Sequence, residues 1–227
     1  MPKRVAILQS NYIPWKGYFD IIHDVDEFIF LDDVQYTRQD WRNRNRIKTS
    51  RGTEWLTIPV GTDLQRRICD VELPRTTWAA DHRRKLEASY RDAPFFETRL
   101  LDEIYGAGFH TLSELNQHAI KLIAGVLGIR TSFRDSREFE ARSHRGERVL
   151  DILRSVGAEV YVSGPAAKDY LDPQQFADAG IELVWKDYAG YPEYPQLHPP
   201  FAHDVTILDL LFHTGPDAPR YIWGWRT

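Results

Sequence analysis

Apolar and polar positions change period several times along the chain, and the changes predict alternating strands and helices. Arg4-Val-Ala-Ile-Leu-Gln9 is a short apolar run, which predicts a buried first strand. A loop with Pro14 and Gly17 follows, then helical spacing from Tyr18 to His23. Glu27-Phe-Ile-Phe-Leu31 is a second apolar run and ends in Asp32-Asp33. Strand, loop, helix and strand make a βαβ unit of minimal length, which favours parallel pairing. Arg46 to Ser50 and Trp55 to Val60 flank Arg51-Gly52 and predict an antiparallel hairpin, with Pro59 marking an edge or a strand end.

The middle of the chain is helical in its spacing. Helices are predicted over Trp78–Tyr90 and Phe95–Tyr105. A third opens at the capping box Thr111-Leu-Ser-Glu114, carries Leu112, Leu115, Ala119, Leu122, Ile123 and Val126 on one face, and stops at Gly128. An α/β rhythm then returns: a helix over Gly146–Val156 closed by Gly157, a strand at Glu159–Ser163, a short helix at Asp172–Ala179, and a strand at Ile181–Trp185. A loop rich in Pro and Tyr precedes a last helix, Thr206–His213. The pattern predicts one α/β domain over residues 1–227, with a mainly parallel central sheet, an antiparallel hairpin and a helical subregion at about 78–128.

Composition narrows the class. The 227 residues carry a net charge of −4, so no global drive toward nucleic acid or acidic membranes exists. No apolar run reaches the roughly 18 residues of a membrane span, and Val5 to Leu8 is too short for a signal-peptide core, so a cytoplasmic protein is expected. A single cysteine, Cys69, rules out an internal disulfide and a cysteine-based metal cage; its alternating surroundings read as strand, with the thiol as a small buried filler. The histidines, His23, His82, His110, His118, His144, His198, His203 and His213, are scattered, and no pair has the i, i+4 spacing of a metal helix. His198 or His203, in the Pro-rich loop, could act as acid or base. No Gly-x-Ser-x-Gly elbow is present.

Candidate chemistry gathers after the first two strands, where open α/β sheets bind ligands. Gln9 and Asn11 offer donors and acceptors, Tyr12 and Trp15 offer ring faces, and Gly17 would let backbone approach a ligand at a helix N-terminus. The alternative is a structural loop packed by its own aromatics. Leu31-Asp-Asp-Val-Gln-Tyr, ending just beyond Gln35, leads into Trp41-Arg-Asn-Arg-Asn. Asp32 or Asp33 is the candidate general base, or the pair a ligand for a divalent ion. Arg42, Arg44 and Arg46 alternate with Asn43 and Asn45, which in an extended chain separates the two types onto opposite faces. The arginine forks suit phosphate or carboxylate, and Trp41 suits a ring. An ion-pair network between Asp32, Asp33, Asp40 and these arginines is the structural alternative. A third turn, Ser163-Gly164 with Lys168 and Tyr170, could cradle an anion or be an ordinary βα turn.

Together, Gln9–Phe19, Leu31-Asp-Asp-Val-Gln-Tyr and Trp41-Arg-Asn-Arg-Asn resemble the WbqC-like protein family. The likeness continues through Trp55-Leu-Thr-Ile-Pro-Val, Tyr90-Arg-Asp-Ala-Pro-Phe-Phe, Leu112-Ser-Glu-Leu-Asn, Ser163-Gly-Pro and Ile207-Leu-Asp-Leu-Leu-Phe, nearly the whole chain. One departure is Thr206 where the family pattern has Ser, and the hydroxyl is kept. The resemblance implies a context in O-antigen or other surface-glycan biosynthesis. A weaker similarity, to nucleotidyltransferases of the HUP-type α/β fold, rests on Trp15-Lys-Gly17-Tyr18 standing where those enzymes carry His-x-Gly-His, with both histidines replaced. The expected function is a transferase acting on a nucleotide-linked sugar or acyl donor. A non-catalytic binding or assembly protein of the same pathway is one alternative, and a nucleotidyltransferase-like enzyme another. The expected partner is a polar small molecule, with no nucleic acid and no membrane span; cofactor, metal and oligomeric state are left open.

Overall fold

In the computed structural model, which describes residues 1–106, 108–140 and 146–226, the first apolar run forms β1 (Arg4–Leu8). The second forms β2 (Glu27–Phe30), paired parallel to β1 in the register Val5↔Glu27 to Leu8↔Phe30. Between them lies α1 (Lys16–His23). Three more parallel strands complete the sheet: β5 (Ser132–Asp135) outside β2, then β6 (Val160–Ser163) and β7 (Glu182–Trp185) on the far side of β1. The order is β5-β2-β1-β6-β7. The chain runs outward from β1 to β5 and then crosses back, so the winding reverses between β1 and β6. In doubly wound sheets that reversal opens a crevice at the carboxyl ends of the strands. The predicted hairpin is β3 (Arg44–Thr49) against β4 (Gly52–Thr57), a separate two-stranded antiparallel unit.

The central strands read as continuous apolar runs because both faces are covered. Ala6, Phe28, Phe30, Val160 and Val162 belong to one core with α1, α4 (Leu112–Val126) and α7 (Ile207–Thr214). Val5, Ile7, Ile29 and Tyr161 belong to the other, with α5 (Gly146–Ser155) and α6 (Pro173–Asp178). The helical middle, α2 (Trp78–Tyr90), α3 (Thr98–Tyr105) and α4, packs on the first core. Thr111 and Glu114 form the predicted capping box, and Gly128 takes the positive φ of 72° that follows the helix.

Three local expectations change. The Cys69 segment is a 3-10 turn, Ile68–Asp70, rather than a strand; Ile68 and Val71, one turn apart, are buried beside α4, and Cys69 is buried as expected. α3 starts at Thr98 rather than Phe95, whose backbone N–H is bonded to the Phe212 carbonyl at 2.9 Å. β5 has no counterpart in the sequence pattern: Ser132-Phe-Arg-Asp carries one apolar residue, which suffices for an edge strand with one covered face. Among the described residues, no helix is long and apolar enough to cross a membrane. His144 lies outside the described residues.

The loop between β1 and α1 is held by buried polar bonds. Ser10 N–H donates to Asp32 Oδ1 at 2.8 Å, and the other carboxylate oxygen accepts from Ser113 Oγ at 2.5 Å and Gln117 Nε2 at 3.2 Å. Ile13 has φ 35°, a left-handed conformation costly for a β-branched side chain. Its carbonyl accepts from Asn45 Nδ2 at 2.8 Å and Thr206 Oγ1 at 2.7 Å, and Asn45 also donates to the Tyr12 carbonyl at 3.0 Å. Tyr12 itself is fully buried, with its hydroxyl 2.8 Å from His82 Nδ1 and 2.5 Å from the Tyr105 hydroxyl.

Two outcomes follow from these contacts. Asn45→Ala leaves two buried carbonyls short of a donor and should cost roughly 2–3 kcal/mol in urea unfolding. Burial pushes His82 down from 6.5 to about 4. Its folded pKa lies below the unfolded value, so proton uptake favours unfolding: the stability it contributes is present above pH 6.5 and is lost as pH falls toward 4. Unfolding curves across that window should show a steeper acid loss in the wild type than in His82→Gln.

Candidate functional site

A cleft of about 750 Å³ opens at the switch point. Gln9 and Asn11 reach it from the loop after β1, Arg42 from the loop after β2, Arg148 from the first turn of α5, and Gly164 and Tyr170 from the segment after β6. Each of these elements meets the carboxyl end of the parallel sheet, which is why residues far apart in sequence converge here. The two loops also bond directly, Tyr12 N–H donating to the Trp41 carbonyl at 2.9 Å.

Arg42 has an unusual set of partners. Its guanidinium donates to Gln9 Oε1 at 2.5 Å and to Asn11 Oδ1, both neutral amides. The Arg42 carbonyl accepts from Asn116 Nδ2 at 2.8 Å, which ties it to α4, and its Nε is buried without a partner. A carboxylate, Asp40, stands farther off at 3.7 Å. Burial would raise the Asp40 pKa, but Arg42 and the Thr37 hydroxyl outweigh it and hold the carboxyl below its ordinary value. Amide ligands orient a guanidinium without neutralising it, so much of its charge stays available to an anion.

The two adjacent carboxylates have different environments. Asp32 is fully buried and its oxygens take the donors of Ser10, Ser113 and Gln117. Asp33 is partly exposed, accepts from Ser136 Oγ at 2.6 Å and is ion-paired with Arg148. The chain thus directs one carboxylate into the protein and the next toward the cleft arginine. The arginine–asparagine alternation is real: Asn43 and Asn45 are buried while Arg42, Arg44 and Arg46 remain partly exposed. Asn43 Nδ2 donates to the Ile58 carbonyl at 2.9 Å. Arg44 and Arg46 lie over the Trp55 ring at 4.2 and 5.3 Å, and Arg46 pairs with Asp204. Of the expected carboxylate–arginine network, only Asp40–Arg42 is formed between those residues.

The remaining candidates divide. Gly164 and the exposed Tyr170 line the cleft, as does part of the mostly buried Ser163. Lys168 instead sits 5.6 Å over the Trp185 ring, and Gln35 donates to the Leu64 carbonyl at 3.0 Å. The Tyr12 ring belongs to the core and offers no face to a ligand. Gly17 serves a protein contact: a Cβ there would fall 2.3 Å from the Trp15 ring, which lies across the first turn of α1. That turn is covered by the C-terminal segment, with Ile207 N–H donating to the Pro14 carbonyl at 2.9 Å. Lys16, next in sequence, is buried 5.0 Å from the Tyr191 ring, and burial lowers its pKa to about 8. Among the described residues, no three His, Cys, Asp or Glu side chains converge as a metal site.

Arg148 is the site residue the sequence reading missed. Its signal was the start of a helix on the carboxyl side of a parallel sheet, legible only once β5 is recognised before it. Leu31 and Val34, flanking the two carboxylates, also line the cleft and read from sequence only as strand end and loop.

Comparison with known proteins identifies the family. The sequence model of the WbqC-like protein family matches residues 9–221, a span that includes both loops and every cleft residue named above. A protein of Mycobacterium tuberculosis (strain ATCC 25618 / H37Rv), the uncharacterized protein Rv1507c, is 45% identical over 225 residues, covering 97% of each chain. No solved structure matches the chain significantly. With the family match running from the first loop to the last helix, the chain belongs to the WbqC-like protein family.

Proposed function

We propose that the protein is a transferase of surface-polysaccharide (O-antigen type) or related small-molecule biosynthesis, and that the switch-point cleft binds the phosphate or carboxylate groups of a nucleotide-linked sugar or acyl donor. The observation that carries this reading is the pair of guanidiniums, Arg42 and Arg148, in one cleft of ligand size. Arg42 is oriented by two amides, with its carboxylate partner Asp40 farther off at 3.7 Å. The Gly164 turn and the Tyr170 ring complete a surface suited to a phosphorylated or carboxylated group. The family resemblance supports the glycan context.

In this reading Asp32 is a positioning residue: one oxygen holds the loop that carries Gln9 and Asn11 through Ser10, and the other is taken by Ser113 and Gln117 of α4. Asp33 is the candidate base. Its partner Arg148 lines the cleft, so an incoming anion would compete for the guanidinium and free the carboxylate to take a proton from the acceptor.

Thermal-shift measurements with UDP-glucose, dTDP-glucose and coenzyme A test the cleft. At least one probe near a hundredfold excess over its Kd should raise the Tm by roughly 5 °C, and Arg42→Met should abolish the shift. Absence of a shift with every probe would count against an anionic donor. For the chemistry, Asp33→Asn should lower product formation, followed by mass spectrometry, by about 100-fold or more while the donor still binds. Loss of donor binding in proportion to turnover would make Asp33 the holder of Arg148 instead. Binding without product in the wild type, across donors and acceptors, would favour the non-catalytic alternative.

A further inference from the structure

A second cavity, of about 320 Å³, adjoins the cleft, and Asn11 lines both. Its walls are the rings of Trp15 and Trp41, with Asn45, Arg46 and Asp204 around them. None of these groups is used by the donor site except the shared Asn11.

The rings are braced by neighbouring side chains. Trp15 packs edge-on against Tyr188 at 5.2 Å and Tyr191 at 5.9 Å, and Gly17 leaves room for its ring. Trp41 lies 5.4 Å from Trp55 and 5.8 Å from the Arg46 guanidinium, and is still 38% exposed. A large aromatic on a loop, braced by neighbouring side chains and still partly exposed, is a platform rather than core filling. The polar rim differs in kind from that of the cleft. Arg46 and Asp204 neutralise each other and present a donor and an acceptor side by side. The cavity therefore has no net charge to offer an anion; what it offers is two apolar faces and adjacent hydrogen-bonding groups. A pyranose has the matching surface, with C–H groups on its flat face and vicinal hydroxyls, each donor and acceptor, on its rim.

We propose that this cavity is the acceptor subsite, and that it binds a neutral sugar ring stacked on Trp41, with ring hydroxyls bonded to Asp204, Arg46 and Asn11. The assignment rests on the two-substrate reading of the cleft given above. Asn11, bonded to Arg42 and lining both cavities, stands where donor and acceptor meet.

Saturation-transfer NMR with methyl glycosides of glucose, galactose, N-acetylglucosamine and a 6-deoxyhexose tests the subsite apart from the donor. At least one glycoside should give signals strongest on its C–H face. Binding should weaken about tenfold in Trp41→Ala, as for an exposed aromatic anchor, and persist in Tyr170→Ala, which alters the wall of the cleft alone. Asp204→Ala, at a half-exposed carboxylate, makes the same comparison should Trp41→Ala not fold. A glycoside signal unaffected by both variants, or no signal from any glycoside, overturns the proposal. So does a Trp41-dependent signal from uridine, thymidine or adenosine with none from the glycosides, which would make the cavity the base end of the donor site. Failure of the nucleotide probes to shift the Tm, with glycoside binding intact, would sink the donor reading alone.

Discussion

The carbonyl of Ile13 is the point on which the site depends. A β-branched residue at φ 35° costs on the order of 1–3 kcal/mol and persists only where its surroundings over-determine it. Here Asn45 and Thr206 both donate to that carbonyl, one from the hairpin and one from the cap of α7. Three segments distant in sequence are thereby fixed to one backbone atom. Gln9 and Asn11 lie on one side of it and Trp15 on the other, so the strained turn sets the spacing between the cleft and the aromatic cavity. The retained hydroxyl at Thr206 has a physical reason: a methyl in its place would leave half of that support missing, and would remove the bond that caps α7.

Burial sorts the polar residues into two kinds of work. Asp32 and Asn45 are almost fully enclosed and bond to backbone or to other buried side chains, which holds the loops in register. Arg42, Arg148 and Asp33 are partly open and lie at or beside the cleft. Enclosed groups with filled hydrogen-bonding capacity have little left for a ligand, while a guanidinium held by two amides does. Neighbours in sequence alternate between these kinds, Asp32 with Asp33 after β2 and Arg42 with Asn43 in the turn before β3.

That alternation explains how much of the molecule was legible beforehand. The apolar runs of β1, β2, β6 and β7 are self-evident because they are covered on both faces, and the parallel order followed from the short βαβ opening. The meeting of the loops after β1 and β2 was legible for the same reason. Two things were hidden. A polar edge strand, β5, has too few apolar positions to show a period, and without it Arg148 could not be placed at the carboxyl end of the sheet. Nor does a sequence say which of two adjacent aspartates is buried, or that the Tyr12 ring turns inward to His82 while the Trp15 ring stays at a cavity wall. Those choices are made by partners more than sixty residues away, Ser113 and Gln117 for Asp32 and His82 for Tyr12, and no local pattern encodes them.

The charge distribution gives the cleft its direction. With a net charge of −4, the molecule as a whole repels anions at long range, and salt screens that repulsion beyond about 8–10 Å. Inside the cleft two guanidiniums stand close together: Arg42 bonds two amides with Asp40 farther off at 3.7 Å, and Arg148 pairs with Asp33. Low-dielectric walls strengthen a local field of this kind, whereas an extended basic surface would attract nucleic acid and acidic lipid as well. A crevice whose guanidiniums can exchange a carboxylate partner for a ligand favours small anions that can enter over polyanions that cannot. The neutral aromatic cavity beside it adds the complementary preference, for an uncharged partner held by ring faces and hydroxyl contacts. Two substrates of opposite character would then be drawn to adjoining sites without competing for either one, and their meeting point is the Asn11 side chain on the loop that Ile13 holds in place.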